Sequence, residues 1–336
     1  MRLLRYVGIR LLLVIPVLLG VLVLTFLLVR VLPGDPVQAF VTPGMSVEDV
    51  ERVRERLGLD IPLWQQFLEY FVGVFQGDFG TSIQTNTPIA VELALRVAPT
   101  LELALLAVLI ALVIAVVLGI WSARRVGNPI DHVSRVGSLA GTALPEFWLG
   151  LVLIVVAYQW LHWAPAPSGR VDRDAAPAPI TGAELIDAII TGNGPAMASA
   201  LAHLWLPMLT IIVGASASLL RSVRAAALEI LASPAWNTAV AHGVRGRTLS
   251  NGYLLRGTLS RLPTLVAIVL GNVLGTVVLV EQVFSWQGMG QWLLRGLMTR
   301  DYPVVQAGVL VIALVYAIAY LIADLLHAAL DPRVRL

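Results

Sequence analysis

Six stretches of this sequence are apolar for long enough to cross a lipid bilayer as helices. A crossing helix needs roughly 20 mostly apolar residues. Such runs are expected at about Leu11 to Val31 (LLLVIPVLLGVLVLTFLLVRV), Leu101 to Trp121, Leu144 to Leu161, a short one near Leu204 to Leu220, Thr264 to Val283 and Val304 to Leu326. Inside hydrocarbon no water satisfies a backbone N–H or C=O, so segments of this kind must be helical. The expected fold class is all-α: a polytopic membrane protein of six transmembrane helices, one domain over residues 1–336. Charged residues make up 13% of the chain, about half the usual share for a soluble domain. That is too few to cover a water-facing surface. Arg2, Arg5 and Arg10 precede the first run, which exceeds the length of a signal-peptide core and is followed by no small-residue cleavage site. It reads as a retained anchor.

Six crossings place both termini on one side, and arginine decides which side that is. The N-terminus, the connection bearing Arg124, Arg125 and Arg135, the segment 221–263 and the C-terminal tail together hold 14 Arg, with only Asp131, Glu229 and Asp331 as acids. The alternate connections, 33–98, 163–203 and 284–303, hold 8 Arg and 14 acids. The arginine-rich set is expected in the cytoplasm, both termini included. Residues 33–98 then form an extracytoplasmic insertion and residues 221–263 a cytoplasmic loop.

An insertion as long as 33–98 should contain structure of its own. Ser46 and Asp49 fit a capping box ahead of VEDVERVRERLGL, which would end at Gly58. Pro62 opens LWQQFLEYFVGVFQ, whose Trp64, Phe67, Tyr70, Phe71 and Phe75 recur at helical spacing. This suggests a helix lying on the membrane interface or packed on the bundle. In the second acidic connection, the Pro- and Ala-rich APAPSGRVDRDAAPAPITG implies extended, mobile backbone, and AELIDAIITG a short helix.

Several function classes are excluded or left without support. All 23 basic residues are arginine, and a P-loop needs lysine on the β- and γ-phosphates. The chain therefore has no standard nucleotide-binding loop. With no cysteine it has no thiolate nucleophile and no Cys-based metal site, and its five histidines lack zinc-protease spacing. No catalytic or metal-binding residue is expected. Ser216 and Ser218 suit tight helix packing. Ionisable groups in spans are costly and each calls for a role. Glu102 and Glu281 lie near span ends, placed to reach interfacial water. Asp324 has His327 about one turn further on, on the same helical face. Glu146, beside Pro145 in the third span, suits a cavity lining or an arginine pair better than a proton relay.

The cytoplasmic segment 221–263 holds six Arg and one acid. Within it, Trp236 to Val244 carries small residues at Ala239 and Ala241, after Ala235, and Gly243 is placed to end a helix as its left-handed cap. A slim helix on basic flanks fits a groove on another protein. Anionic lipid headgroups would hold the same segment at the interface, and composition does not separate the two.

At this point the sequence resembles a known family. WNTAVAHG at 236–243 resembles the EAA-type loop of permease subunits in ABC importers of the dipeptide, oligopeptide and nickel class, and RLP at 261–263 resembles its closing Leu-Pro. LPGDP at 32–36, LGLDIPLWQQFLEY at 57–70, GDFGTS at 77–82, PTLELALLA at 99–107, VEQVFSWQGMGQWLLRG at 280–296, RDYPVVQAGVL at 300–310 and ADLLHAALDPRVR at 323–335 are similar to further family signatures, in order. The chain departs from the pattern at Asn237 and His242, where the family carries basic residues, and in a slightly longer spacing from Gly243 to Pro263.

The resemblance implies the type I importer permease fold, in the subunit class with the long first outer loop, embedded in the lipid of the bacterial cytoplasmic membrane. It implies transport of di- and oligopeptides, or related small cargo such as nickel chelates, by alternating access. A second, related permease would complete the pore. Two cytoplasmic ABC ATPase domains would bind the ATP and magnesium and dock on Trp236, Asn237, Thr238, Ala239, Ala241, His242, Gly243 and Val244. An extracytoplasmic binding protein would deliver substrate, and no nucleic acid is involved. The alternative is a proton-coupled secondary transporter using Glu146 or Asp324.

Overall fold

The computed structural model describes residues 2–31, 45–56 and 60–330. The LPGDP stretch, the expected helix end at Gly58 and the tail from 331 lie outside them. The chain runs α1 (Arg2–Val31), α2 (Val47–Arg56), α3 (Leu63–Gln76), α4 (Ile89–Arg124), α5 (Pro129–Ala143) and α6 (Glu146–Leu153), which a π-helical stretch, Ile154–Trp160, prolongs. Then come α7 (Glu184–Ile190), α8 (Gly194–Leu231), α9 (Pro234–Ala241), α10 (Gly246–Thr248), a second π-helical stretch (Leu249–Leu255), α11 (Arg256–Leu259), α12 (Leu262–Val283), α13 (Met289–Thr299) and α14 (Tyr302–Leu330). Among the described residues β pairing is limited to an isolated bridge between Thr81 and Pro88.

Five helices, α1, α4, α8, α12 and α14, are long and apolar enough to cross a membrane, and a sixth crossing exists if α5 and α6 count as one broken span. The third expected span, Leu144 to Leu161, is helical from Glu146 to Trp160, and a break with α5 lies at its start. The helix axis turns by 101° between α5 and Glu146–Trp160. The cause is local: a proline disfavours helical backbone at the residue before it, and Leu144, ahead of Pro145, is extended at φ −84, ψ 126. The short fourth run proves to be the core of a 38-residue helix. Its ends, Gly194 to His203 and Arg221 to Leu231, are helical but not apolar throughout, so hydropathy alone does not reveal them. α5 also differs from expectation, since the Arg124–Arg135 connection is helical from Pro129 onward.

The bundle is organised around α4 and α8, the most extensively packed pair. Along α4, Ala104, Ala107, Ala111, Ala115 and Gly119 are all buried. Small residues at this spacing let two helix backbones approach closely, which is how helices associate where lipid removes the hydrophobic drive. At Gly119 a Cβ would lie 2.7 Å from Val223 Cγ1 of α8, so only glycine fits. α5 closes on α8 in the same way through Gly141, where a Cβ would lie 3.0 Å from the Val213 carbonyl oxygen. α12 packs on α8, and α14 on α12 and α1.

At the acidic end, α3 begins after Pro62 as its sequence predicts and docks on α1 by its aromatic face. Phe67 meets Phe26 edge-on at 5.3 Å and Tyr70 stacks on the same ring at 6.2 Å. Trp64 and Phe75 stay exposed. α7 forms where expected. The Pro- and Ala-rich stretch before it is not left free: Arg170 pairs with Glu184 at 3.2 Å and donates to the Gly182 carbonyl, and Ser199 donates to Asp172 at 2.7 Å.

Filling the α4–α8 contact should break it. Ala115→Leu is expected to lower bundle stability by about 1–3 kcal/mol, read as a fall in thermal denaturation midpoint in detergent. Val113→Leu, at a side chain 56% exposed, should leave the midpoint unchanged. Equal midpoints for both variants would contradict the described packing.

Candidate functional site

The eight-residue helix α9 is too short to hold itself together in water, and its sequence fixes both ends. Ser233 is the N-cap, its hydroxyl accepting from the Trp236 N–H at 3.3 Å, with Pro234 in the first turn. At the other end Gly243 has φ +70. The Val244 N–H donates to the Ala239 carbonyl at 3.1 Å and the Gly243 N–H to that of Val240 at 3.0 Å. This is the Schellman arrangement, in which a left-handed residue satisfies the last carbonyls.

Tertiary contacts supply the rest. Trp236 packs against a cluster centred on Ala123 of α4, Ala227 of α8 and Leu254 of the second π-helical stretch. Ala239, three residues on and on the same helical face, is also buried. Asn237, Thr238, Val240, Ala241, His242 and Gly243 are exposed, and Val244 is half-buried. The residues expected to dock a partner therefore separate into two groups. Trp236 and Ala239 hold the helix to its own chain, and the others present a slim outward surface. Val240, 51% exposed, belongs to that surface and was missed. Helical spacing carries no signal for it: Val240 lies one turn after Trp236, and its exposure is set by how α9 is seated.

The platform beneath α9 is stiffened by an ionic knot. Asp131 in the first turn of α5 is buried and accepts from Arg224 of α8 through two bonds, Nε to Oδ1 at 2.7 Å and Nη2 to Oδ2 at 3.0 Å. Ser122 of α4 donates to Oδ1 at 2.6 Å and the Gly127 N–H to Oδ2 at 3.1 Å. Every acceptor position of a buried carboxylate is thus engaged, which a buried charge requires. Arg124 bonds Ser250, and Arg261 pairs with Glu229. These ties join the arginine-rich ends of α4, α5, α8 and the segment leading to α12.

At the opposite end the acids act as staples. Glu102 and Glu281 do not reach water; both are buried. Glu102 accepts the Leu185 and Ile186 N–H groups at 2.9 and 3.2 Å and so caps α7. Glu281 accepts from Thr100 Oγ1 and from the Gln291 N–H at 2.9 Å. The Thr100 hydroxyl in turn accepts from the Met289 N–H at 2.8 Å, and Trp286 Nε1 donates to the Pro99 carbonyl at 3.1 Å. Asp187 is buried too, which raises a carboxyl pKa. Hydrogen bonds from the Thr181 hydroxyl and from the N–H groups of Thr181, Ile180 and Gly182 outweigh that and hold it below the usual carboxylate range.

Asp324 pairs with Arg10 of α1 at 3.0 Å rather than with His327. Glu146 lies against α8 and α12, with Thr276 within hydrogen-bonding reach. It is distant in sequence and in the fold from α9, so the expected site residues do not form one constellation.

Residues 115–336 match the family described as binding-protein-dependent transport system inner membrane component. Residues 3–104 match the N-terminal family of the same systems. The chain is 36% identical over 339 residues to the dipeptide transport system permease protein of Escherichia coli K12, covering 99% of each. It is 38% identical over 315 residues to the probable D,D-dipeptide transport system permease protein of the same strain, covering 94% of this chain and 93% of the relative. To the oligopeptide transport system permease protein of Bacillus subtilis 168 it is 32% identical over 330 residues, covering 98% of each.

Removing one side of the knot should be far more damaging than removing both. Asp131→Ala leaves the Arg224 guanidinium without its buried partner and is expected to cost about 3–5 kcal/mol, measured by thermal denaturation in detergent. The double variant Asp131→Ala, Arg224→Met should recover most of that loss. A double variant as unstable as the single one would refute the pairing.

Proposed function

This chain belongs to the family of inner membrane components of binding-protein-dependent transport systems, and from that premise we propose that it carries di- and oligopeptides inward. It is a multi-pass permease subunit of an ABC importer, working with an ATPase and with a substrate-binding protein. The substrate class rests on the names of the full-length relatives, which are dipeptide and oligopeptide permeases.

The observation that carries the mechanism is the shape of α9: capped at both ends, pinned by Trp236 and Ala239, and exposing Asn237, Thr238, Val240, Ala241 and His242 at the arginine-rich end. In our reading that end is cytoplasmic, with both termini, and α9 seats in a groove of the ATPase as a coupling helix. ATP and magnesium bind in the ATPase. When two ATPase domains close, the rigid platform beneath α9 passes the displacement to α4, α5 and α8. A second, related permease forms the other half of the pore, and the binding protein docks at the acidic end, where the insertion 33–98 lies. Proton coupling gains no support from Asp324, whose carboxylate is paired with Arg10.

Two measurements test this. Tagged chain purified in mild detergent from its own cells should bring down a second permease and an ATPase; recovery of neither would sink the importer reading. Gly243→Asp is expected to reduce binding-protein-stimulated ATP hydrolysis to the unstimulated level while leaving membrane insertion unchanged. A Cβ at Gly243 meets nothing within 4 Å, and aspartate tolerates the left-handed backbone, so the variant should fold. Normal stimulation would remove α9 from the ATPase contact.

A further inference from the structure

The acids inside the long spans are engaged, with one exception. Glu102 and Glu281 accept backbone and hydroxyl donors, and Asp324 pairs with Arg10. Glu146 differs. Its Oε2 is buried with no hydrogen-bond partner, and none of the ion pairs among the described residues involves it. A carboxyl group without a counter-charge within a bundle is costly, and such groups in membrane proteins mark substrate or ion pathways.

The surroundings are arranged around this carboxyl group. Glu146 is the first residue of α6, at the 101° break after α5. Its Oε1 lies on the backbone of α8, so that a Cβ at Gly214 would fall 2.5 Å from it. On the other side stands Thr276 of α12. α12 turns one stripe outward, Ile268, Asn272, Gly275, Thr276 and Leu279, all exposed. An amide and a hydroxyl exposed inside an apolar span are out of place against lipid tails. They face a water-filled path or a partner subunit. Broken helices are also where secondary transporters build their sites.

We propose that Glu146, with Thr276 beside it and Asn272 one turn away on the same stripe of α12, is a cation-accepting station on the translocation path, recognising an ammonium or guanidinium group of the peptide in transit. The proposal rests on the peptide-importer reading above. Glu146 sits in the first turn of α6, where the helix dipole favours a negative charge. The two polar side chains of α12 supply hydrogen bonding to the rest of the cation's donors. The break at Pro145 lets α6 tilt against α8 independently of α5, exposing Oε2 when the path opens. Peptides that carry an additional positive charge gain at this point, and peptides with an additional negative charge lose.

The test uses the complete importer reconstituted in vesicles with saturating binding protein, and uptake of Ala-Lys, Ala-Ala and Ala-Glu. Glu146→Gln keeps the shape and removes the charge. It is expected to lower the Ala-Lys to Ala-Glu uptake ratio by about tenfold. Glu146→Asp should retain most of that ratio. Gly214→Ala, which pushes the carboxyl group off its seat without neutralising it, should lower the ratio part of the way. Stimulated ATP hydrolysis reports that each assembly is intact. A ratio unchanged in Glu146→Gln, or all three peptides reduced by one common factor, would overturn the proposal. So would loss of the second permease on purification of Glu146→Gln, because the carboxylate would then serve an intersubunit ion pair. If the wild-type assembly imports none of the three peptides, it is the peptide reading that fails, and this station falls with it.

Discussion

Everything else in this bundle depends on how closely α4 and α8 approach each other. In lipid, apolar side chains gain little by leaving the solvent, so helices hold together through packing and polar ties. The small residues from Ala104 to Gly119 bring the two backbones together. The ties then sit at either end: Asp131 with Arg224 and Ser122 at the arginine-rich end, Glu102 capping α7 at the acidic end. α5 and α12 pack onto the resulting pair, and α9 is seated where its ends meet. Trp236 packs on the cluster of Ala123, Ala227 and Leu254, which joins α4, α8 and the π-helical stretch.

The buried acids show how position within the fold assigns a role that residue type does not. Glu102, Glu281 and Asp131 are each closed by donors and act as fasteners. Asp324 is neutralised by Arg10. Glu146 has been given a seat, on a glycine of α8, but no counter-charge. Stability alone accounts for the first four. A carboxyl group held in place and left unpaired is what a binding site needs, because a pre-formed cation partner would compete with the ligand.

Much of this was legible in the sequence, for identifiable reasons. Apolar runs found the crossings because a long hydrophobic stretch is decisive without any tertiary contact. Gly243 marked the end of α9 because a helix cap is local chemistry, and Ser233 and Pro234 close its start by the same kind of chemistry. The failures are equally local in origin. The whole of α5 is held by packing of Ser134, Ser138 and Gly141, buried in the bundle, which hydropathy cannot register, and the ends of α8 are not apolar throughout. Glu102 and Glu281 were assigned to water because their donors, Leu185, Ile186, Thr100 and Gln291, are mostly far away in the chain. Val240 was overlooked because which face of α9 turns outward is set by Trp236, and where Trp236 packs is a tertiary fact.

The sequence by itself determined that the chain is helical and membrane-spanning, that its positive charge gathers on alternate connections, and that a short capped helix lies between the fourth and fifth crossings. These follow from hydropathy, charge and capping, each of which acts within a few residues of chain. Only the tertiary structure decided which face of α9 is free, and which acid among those in the spans is left without a counter-charge. Those outcomes depend on contacts between helices tens or hundreds of residues apart, where the cost of an unpaired group is settled by what another segment brings to it.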